Sequence, residues 1–166
     1  VREAVSLASA VSINIETPGE KHCRRLSQRK LFVEDIIRPL KLVAGLTTKG
    51  APYARVRTTT QFVVGAYNET DAEIVRYMFG LYERLHLHRV YFSAYQAGLG
   101  ARDIPGESSA GLLPENRLLR EHRLYQTDFL IRRYGFKAED IIFDKQSGLS
   151  LDKDPKTCWA EQHPEF

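Results

Sequence analysis

Residues 11–16, VSINIE, alternate Val11, Ile13 and Ile15 with Ser12, Asn14 and Glu16, so an extended chain there shows one apolar and one polar face. Two later stretches repeat the pattern. TTQFVVG, residues 59–65, carries Thr59 and Gln61, and RVYFSAY, residues 89–95, carries Tyr91, Ser93 and Tyr95. On an antiparallel surface such polar groups meet water, whereas on a parallel sheet wrapped by helices they need a ligand. Helical patterns separate the three stretches, which predicts right-handed parallel crossovers, and in such folds ligands lie beyond the C-terminal strand ends. The chemistry expected is therefore the binding of a polar ligand. Glu121 and Asp128, seven residues apart on one helix face, read as solvating carboxylates rather than an acid/base pair. His122 has neither His nor Cys at i+3 or i+4, which argues against a metal ligand.

The elements that must position these residues follow from periodicity. Residues 1–8 end a helix, residues 10–16 form the first strand, and TPGE turns the chain into a short basic helix near 20–26. Phe32, Ile36, Ile37, Leu40, Val43 and Ala44 recur at helical spacing, with a kink expected at Pro39. Thr70 and Glu73 form a capping box ahead of Ile74, Met78, Leu81, Tyr82 and Leu85, which line one helix face. The loop from 96 to Pro114, containing Gly98, Gly100, Gly106 and Gly111, is unusually long. A helix over about 116–134 sets Leu118, His122, Tyr125 and Phe129 on one stripe and Arg117, Arg120, Arg123, Arg132 and Arg133 largely elsewhere. A short helix near 137–143 and another starting at Asp154-Pro155 close the chain. The pattern divides into an α/β part, 1–115, and a helical extension, 116–166.

Composition narrows the class. At 43% hydrophobic and 27% charged, the 166 residues suit a soluble globular protein, and no stretch approaches a membrane span. The start, VREAVSLASA, lacks an initiator Met and a signal-peptide core, and reads as a piece of a longer protein. Cys23 and Cys158 make no disulfide framework and no CxxC pair, which favours a cytoplasmic setting. The net charge of +3 conceals segregation: residues 21–57 hold ten Lys/Arg, among them Arg24, Arg25 and Arg29, against Glu34 and Asp35. Residues 138–166 hold seven Asp/Glu against three Lys. A solvated helix face is the commoner cause of such a run, and an anionic partner such as nucleic acid is the other.

SINIETPGE, QFVVGAYNETDAEI and RVYFSAY resemble strands four, five and six of the partial barrel of radical S-adenosylmethionine enzymes, closest to the branch described as putative DNA modification or repair proteins. LLREHRLYQTDFLIRRYGFKAEDIIF and LSLDKDPKTCWAEQHPEF are similar to the region joining that barrel to a C-terminal segment in longer members. The resemblance implies an α/β fold, half of a TIM-type barrel with three parallel strands, and a parent enzyme in which a 4Fe-4S cluster held by CxxxCxxC reduces S-adenosylmethionine to a radical. No CxxxCxxC is present, so the cluster ligands are expected outside this sequence and this part alone is expected to be inactive. The partners implied are the remaining barrel strands and a C-terminal segment, and open strand edges are expected to be hidden by self-association.

Carried over position by position, the resemblance puts Asn14 and Glu16 against the ribose, where an amide and a carboxylate can bond hydroxyl groups. Gly65 and Glu69 match part of the strand-five GxIxGxxE pattern beside adenine, with Gln61 in place of the first Gly and Glu69 one residue late. Ser93 and Tyr95 lie where strand six passes the adenine. Arg102 or Asp103 sits where substrate would approach, on what is otherwise a solvent loop. His122, Arg123, Tyr125 and Gln126 either bind substrate or bond within the interface to the missing segment. The competing reading is a non-catalytic nucleic-acid-binding or scaffold module that uses the basic segment 21–57. A phosphate site at the helix starting after Thr70 is disfavoured by Glu69, Asp71 and Glu73.

Overall fold

A computed structural model describes residues 1–98, 100–107 and 114–165; of the expected long loop, Gly111 lies outside the described residues. Three strands, β1 (Ala10–Ser12), β2 (Arg57–Val64) and β3 (Arg89–Ala94), form one sheet in the order β1-β2-β3. Both pairings are parallel, with Ser12 opposite Thr59, Gln61 opposite Tyr91 and Val63 opposite Ser93. The crossovers run through α2 (Glu20–Leu26) and α3 (Arg38–Thr47) after β1, and through α4 (Asp71–Leu85) after β2. α1 (Arg2–Leu7) precedes the sheet, while α5 (Pro114–Tyr134) and α6 (Pro155–Gln162) follow it.

Alternation along β2 sorts the two faces. Thr58, Thr60, Phe62 and Val64 are buried under the helices, and Thr59, Gln61 and Val63 are only half-covered. Phe62 stacks on Phe92 across the strands with ring centroids 6.1 Å apart. Leu124, Leu130 and Ile131 from α5, with Ile141 and Leu149 beyond it, join Phe62 and Phe92 in one core cluster, so the expected C-terminal extension shares the core of the sheet.

The first strand is shorter than its sequence pattern. Beyond Ser12 the ladder is interrupted by Thr60, whose Oγ1 donates to the Ile13 carbonyl at 2.7 Å and accepts the Ile15 N–H at 2.9 Å. A buried hydroxyl thus replaces backbone partners, and pairing resumes only at the isolated bridge between Glu16 and Phe62. Around Pro39 the helix changes type without a break in the chain's helical backbone. A π-helical turn over Phe32–Ile37 leads into α3, which accommodates the missing N–H of Pro39 at its first turn. The short helix near 137–143 is a single 3-10 turn, Ala138–Asp140.

The orientation of α5 differs most from expectation. Of its expected stripe, Leu118 is 63% and Phe129 49% exposed and His122 is exposed, whereas Tyr125 turns to the sheet on the same side as buried Leu124, Leu130 and Ile131, and Thr127 and Asp128 are fully buried. The reason is the sheet edge. Among the described residues no strand lies beyond β3, and its outward backbone groups are closed by side chains: Val90 N–H donates to Tyr82 Oη at 2.8 Å, Phe92 N–H to Tyr125 Oη at 3.0 Å, and Ala94 N–H to Glu121 Oε2 at 2.6 Å. Polar side chains face inward because an unpaired backbone donor costs more than burying a satisfied polar group. Glu121 and Asp128 are therefore structural, not solvating. Asp128 accepts from Tyr82 Oη and from Arg132, whose Nη2 lies 2.6 Å away.

Candidate functional site

At the C-terminal end of the sheet the chain leaves β1 through Glu16, whose φ of 64° is unusual for a residue other than glycine. Two backbone bonds hold it there: its N–H donates to the Gln61 carbonyl at 2.9 Å and its carbonyl accepts the Val63 N–H at 2.8 Å. Positive φ outside glycine persists where the surroundings enforce it, and such positions cluster at ligand sites. Glu16 lines a cavity of about 320 Å³ together with Val63, Ala66, Ile104 and Tyr95, and with Cys23 and Lys30 on its α2 side. This volume lies at the lower end of small-molecule sites, and a few polar groups, here Glu16, Lys30, Thr17 and Ser27, among mostly apolar walls are their usual construction.

The turn from β2 into α4 forms one wall. Gly65 has a φ of 87°, and its N–H donates to Glu69 Oε1 at 2.5 Å while Tyr67 N–H donates to Oε2 at 3.1 Å. Arg120 braces the same turn, with Nη1 3.4 Å from Glu69 Oε1 and Nε 2.6 Å from Asp71 Oδ1. Burial pushes the Glu69 carboxyl above its ordinary value, opposed by Arg120 and by the backbone donors. α4 itself starts at the capping box: Glu73 N–H donates to Thr70 Oγ1 at 3.2 Å and Thr70 N–H to Glu73 Oε2 at 2.9 Å.

The loop after β3 covers this end. Gly106 N–H donates to the Ala66 carbonyl at 3.1 Å, and a Cβ on Gly106 would stand 2.7 Å from the Gly65 carbonyl oxygen. Tyr95 Oη donates to Glu107 Oε1 at 2.5 Å, and Glu107 also accepts the N–H groups of Gly98 and Gly100, each at 2.6 Å. Burial and the bond to Glu107 push the Tyr95 phenol up to about 12.

The sequence-derived candidates divide accordingly. Glu16 and Tyr95 meet at the cavity. Gln61 and Ser93 lie half-covered on the open sheet face. Asn14 is exposed, its Oδ1 accepting from Ser12 Oγ at 3.0 Å, and it does not line that cavity. Gly65 and Glu69 are engaged by the protein itself: Glu69 organises the turn, and Gly106 packs where a ligand was expected against Gly65. Arg123 is likewise occupied within this chain, donating from Nε to the Ser150 carbonyl at 3.2 Å and from Nη2 to the Leu151 carbonyl at 3.0 Å. His122 is exposed beside Gln126 and Phe129 on the outer side of α5. Arg102, Arg25 and Arg29 are exposed, and Arg24 pairs with Glu20 at 2.5 Å.

Ile104, Ala66 and Lys30 complete the cavity without having stood out in the sequence, since nothing in an apolar loop residue or a single lysine signals a ligand wall. Arg120 and Glu107 were missed for another reason: their partners are far along the chain or within an irregular loop, beyond the reach of periodicity. No helix among the described residues is long and apolar enough to cross a membrane. No family model, curated protein or solved structure matches the chain.

Proposed function

We propose that this chain is half of a radical S-adenosylmethionine partial barrel and that the cavity at Glu16 holds the adenosyl part of that cofactor. The observation that carries this reading is Glu16, held at φ 64° at the C-terminal end of a parallel strand and lining a ligand-sized cavity with Tyr95. A carboxylate accepts from a pair of ribose hydroxyls, and Val63, Ala66 and Ile104 supply apolar walls for a base. Bound cofactor would supply the redox chemistry; Glu16 binds and orients it, and the covering loop excludes water. The cluster ligands belong to another part of the barrel, because Cys23 and Cys158 cannot provide three thiolates. The edges support a sheet that continues past β1 and stops at β3: side chains close the β3 edge, while none does so along β1 among the described residues. DNA modification or repair by the whole protein, and its 4Fe-4S cluster, rest on the resemblance alone.

Calorimetric titration with S-adenosylhomocysteine and with adenosine tests the reading. Saturable binding is expected, with Glu16→Gln weakening it about tenfold, the loss expected for a charge-assisted hydrogen bond. Absence of binding, or equal binding by the Gln variant, contradicts it. The second reading, a non-catalytic nucleic-acid module on segment 21–57, is favoured by the exposure of Arg25 and Arg29. It predicts salt-dependent oligonucleotide binding lost in Arg25→Gln/Arg29→Gln, without affinity for adenosine.

A further inference from the structure

At the opposite end of the sheet, α4 and α5 both terminate in left-handed caps on the same side. α4 ends at His86, with φ 51° and its N–H donating to the Tyr82 carbonyl at 3.1 Å. α5 ends at Gly135, with φ 73°, and the following Phe136 N–H reaches back to the Leu130 carbonyl at 3.3 Å. Between the two ends lies a cleft of about 710 Å³, floored by Phe79, Leu87 and Ile131 and walled by Phe136. Its rim carries His86, His88, Arg133 and Lys137 against one carboxylate, Glu83.

Much of this charge is uncommitted. Arg132 is spent on Asp128, and Asp140 accepts from the Lys137 backbone N–H at 2.7 Å rather than from its ammonium. Among the described residues, neither Arg133 nor Lys137 pairs with a carboxylate, and both are exposed, as are His86 and His88. Arg133 in the last turn also complements the α5 carbonyl ends, but Lys137 and His88 stand beyond the helices and serve no such purpose. Left-handed φ at His86, a position that favours glycine or asparagine, brings an imidazole rather than a bare turn to the cleft mouth.

We infer that this cleft binds a nucleotide, its phosphate between Arg133 and Lys137 and its base against the rings of Phe136 and Phe79. An apolar floor beneath a cationic rim matches a molecule with a flat aromatic body and an anionic end, and base stacking on aromatic side chains needs no particular sequence. A flat anionic lipid surface would reach the rim but leave the floor empty. The site is separate from the cavity at Glu16 and does not depend on the function proposed there.

The test is fluorescence and calorimetric titration of the full chain with AMP and with a short labelled oligothymidylate, with inorganic phosphate as competitor. Binding of AMP by itself identifies a free nucleotide as the ligand, and binding of the oligonucleotide alone identifies a nucleotide within a strand; either supports the inference. Affinity is expected to fall with salt, and to fall at least about tenfold in Arg133→Gln/Lys137→Gln and in Phe136→Leu. Lys145→Gln, on an exposed turn outside both the cleft and segment 21–57, is expected to leave it unchanged. Arg133 and Lys137 are exposed, so an unchanged melting transition separates lost binding from lost fold. No binding of either probe, full affinity in Arg133→Gln/Lys137→Gln, or competition by phosphate as strong as by AMP overturns it.

Discussion

Tyr125 Oη bonds both backbone groups of Phe92, accepting its N–H at 3.0 Å and donating to its carbonyl at 2.9 Å. One phenol thus takes the place of a neighbouring strand at the centre of the β3 edge. Tyr125→Phe keeps the ring, which meets Phe92 edge-on at 5.1 Å, and removes only the hydroxyl. It is expected to cost about 1–3 kcal/mol, read from urea unfolding. The same variant, combined with Glu121→Ala, reopens an edge and should raise the self-associated fraction in sedimentation. A variant as stable and as monomeric as the parent would show that the edge is not closed by these groups.

The α/β class with its parallel sheet was legible because parallel crossovers need only alternating strand and helix periods, and the capping box at Thr70 and Glu73 announced α4 from four residues. The inward face of α5 was not legible. Leu118, His122, Tyr125 and Phe129 form the apparent apolar stripe, yet the neighbour that decides orientation is a row of backbone donors, and no hydrophobicity pattern records those. The site divides in the same way. Glu16 could be read from strand alternation, whereas the engagement of Glu69 by Gly65, Tyr67 and Arg120 depends on a turn and on a residue 51 positions away.

Asp128 should prove the most sensitive position of α5. It is fully buried and accepts from Tyr82 and Arg132, so Asp128→Ala strands a cation and a phenol at once. Breaking such a pair typically costs about 3–5 kcal/mol. Thermal and urea unfolding should place this variant far below Asp128→Asn, which keeps one acceptor oxygen.

The start of α4 carries a pH signature. Burial raises the Glu73 carboxyl, but the Thr70 N–H and nearby His22 outweigh it and hold the group below its ordinary value. Between the folded and unfolded values the unfolded chain binds more protons, so the stabilisation is complete above the unfolded value and disappears as pH falls through the folded one. Glu73→Gln should flatten that acid limb, and Thr70→Ala should cost about 1 kcal/mol at neutral pH. An unchanged acid limb in Glu73→Gln would assign it to other carboxylates.

Gly106→Ala tests the cover of the cavity. The added methyl would stand 2.7 Å from the Gly65 carbonyl oxygen and 2.6 Å from the Tyr95 ring. The loop must lift, at about 1–3 kcal/mol, and ligand affinity at Glu16 should fall while the α4 and α5 ends stay as they were. Retention of both stability and affinity would mean that the loop does not seal the site.

The adenosyl group proposed at the C-terminal end of this sheet, against Glu16, would leave a local spectroscopic footprint. Mapping backbone amide shifts by NMR during titration with S-adenosylhomocysteine addresses it most directly. Saturable shifts centred on Glu16, Val63, Ala66 and Tyr95 are expected, absent in Glu16→Gln at the same ligand concentration. Shifts that avoid these four residues, or a spectrum that does not change, would contradict it.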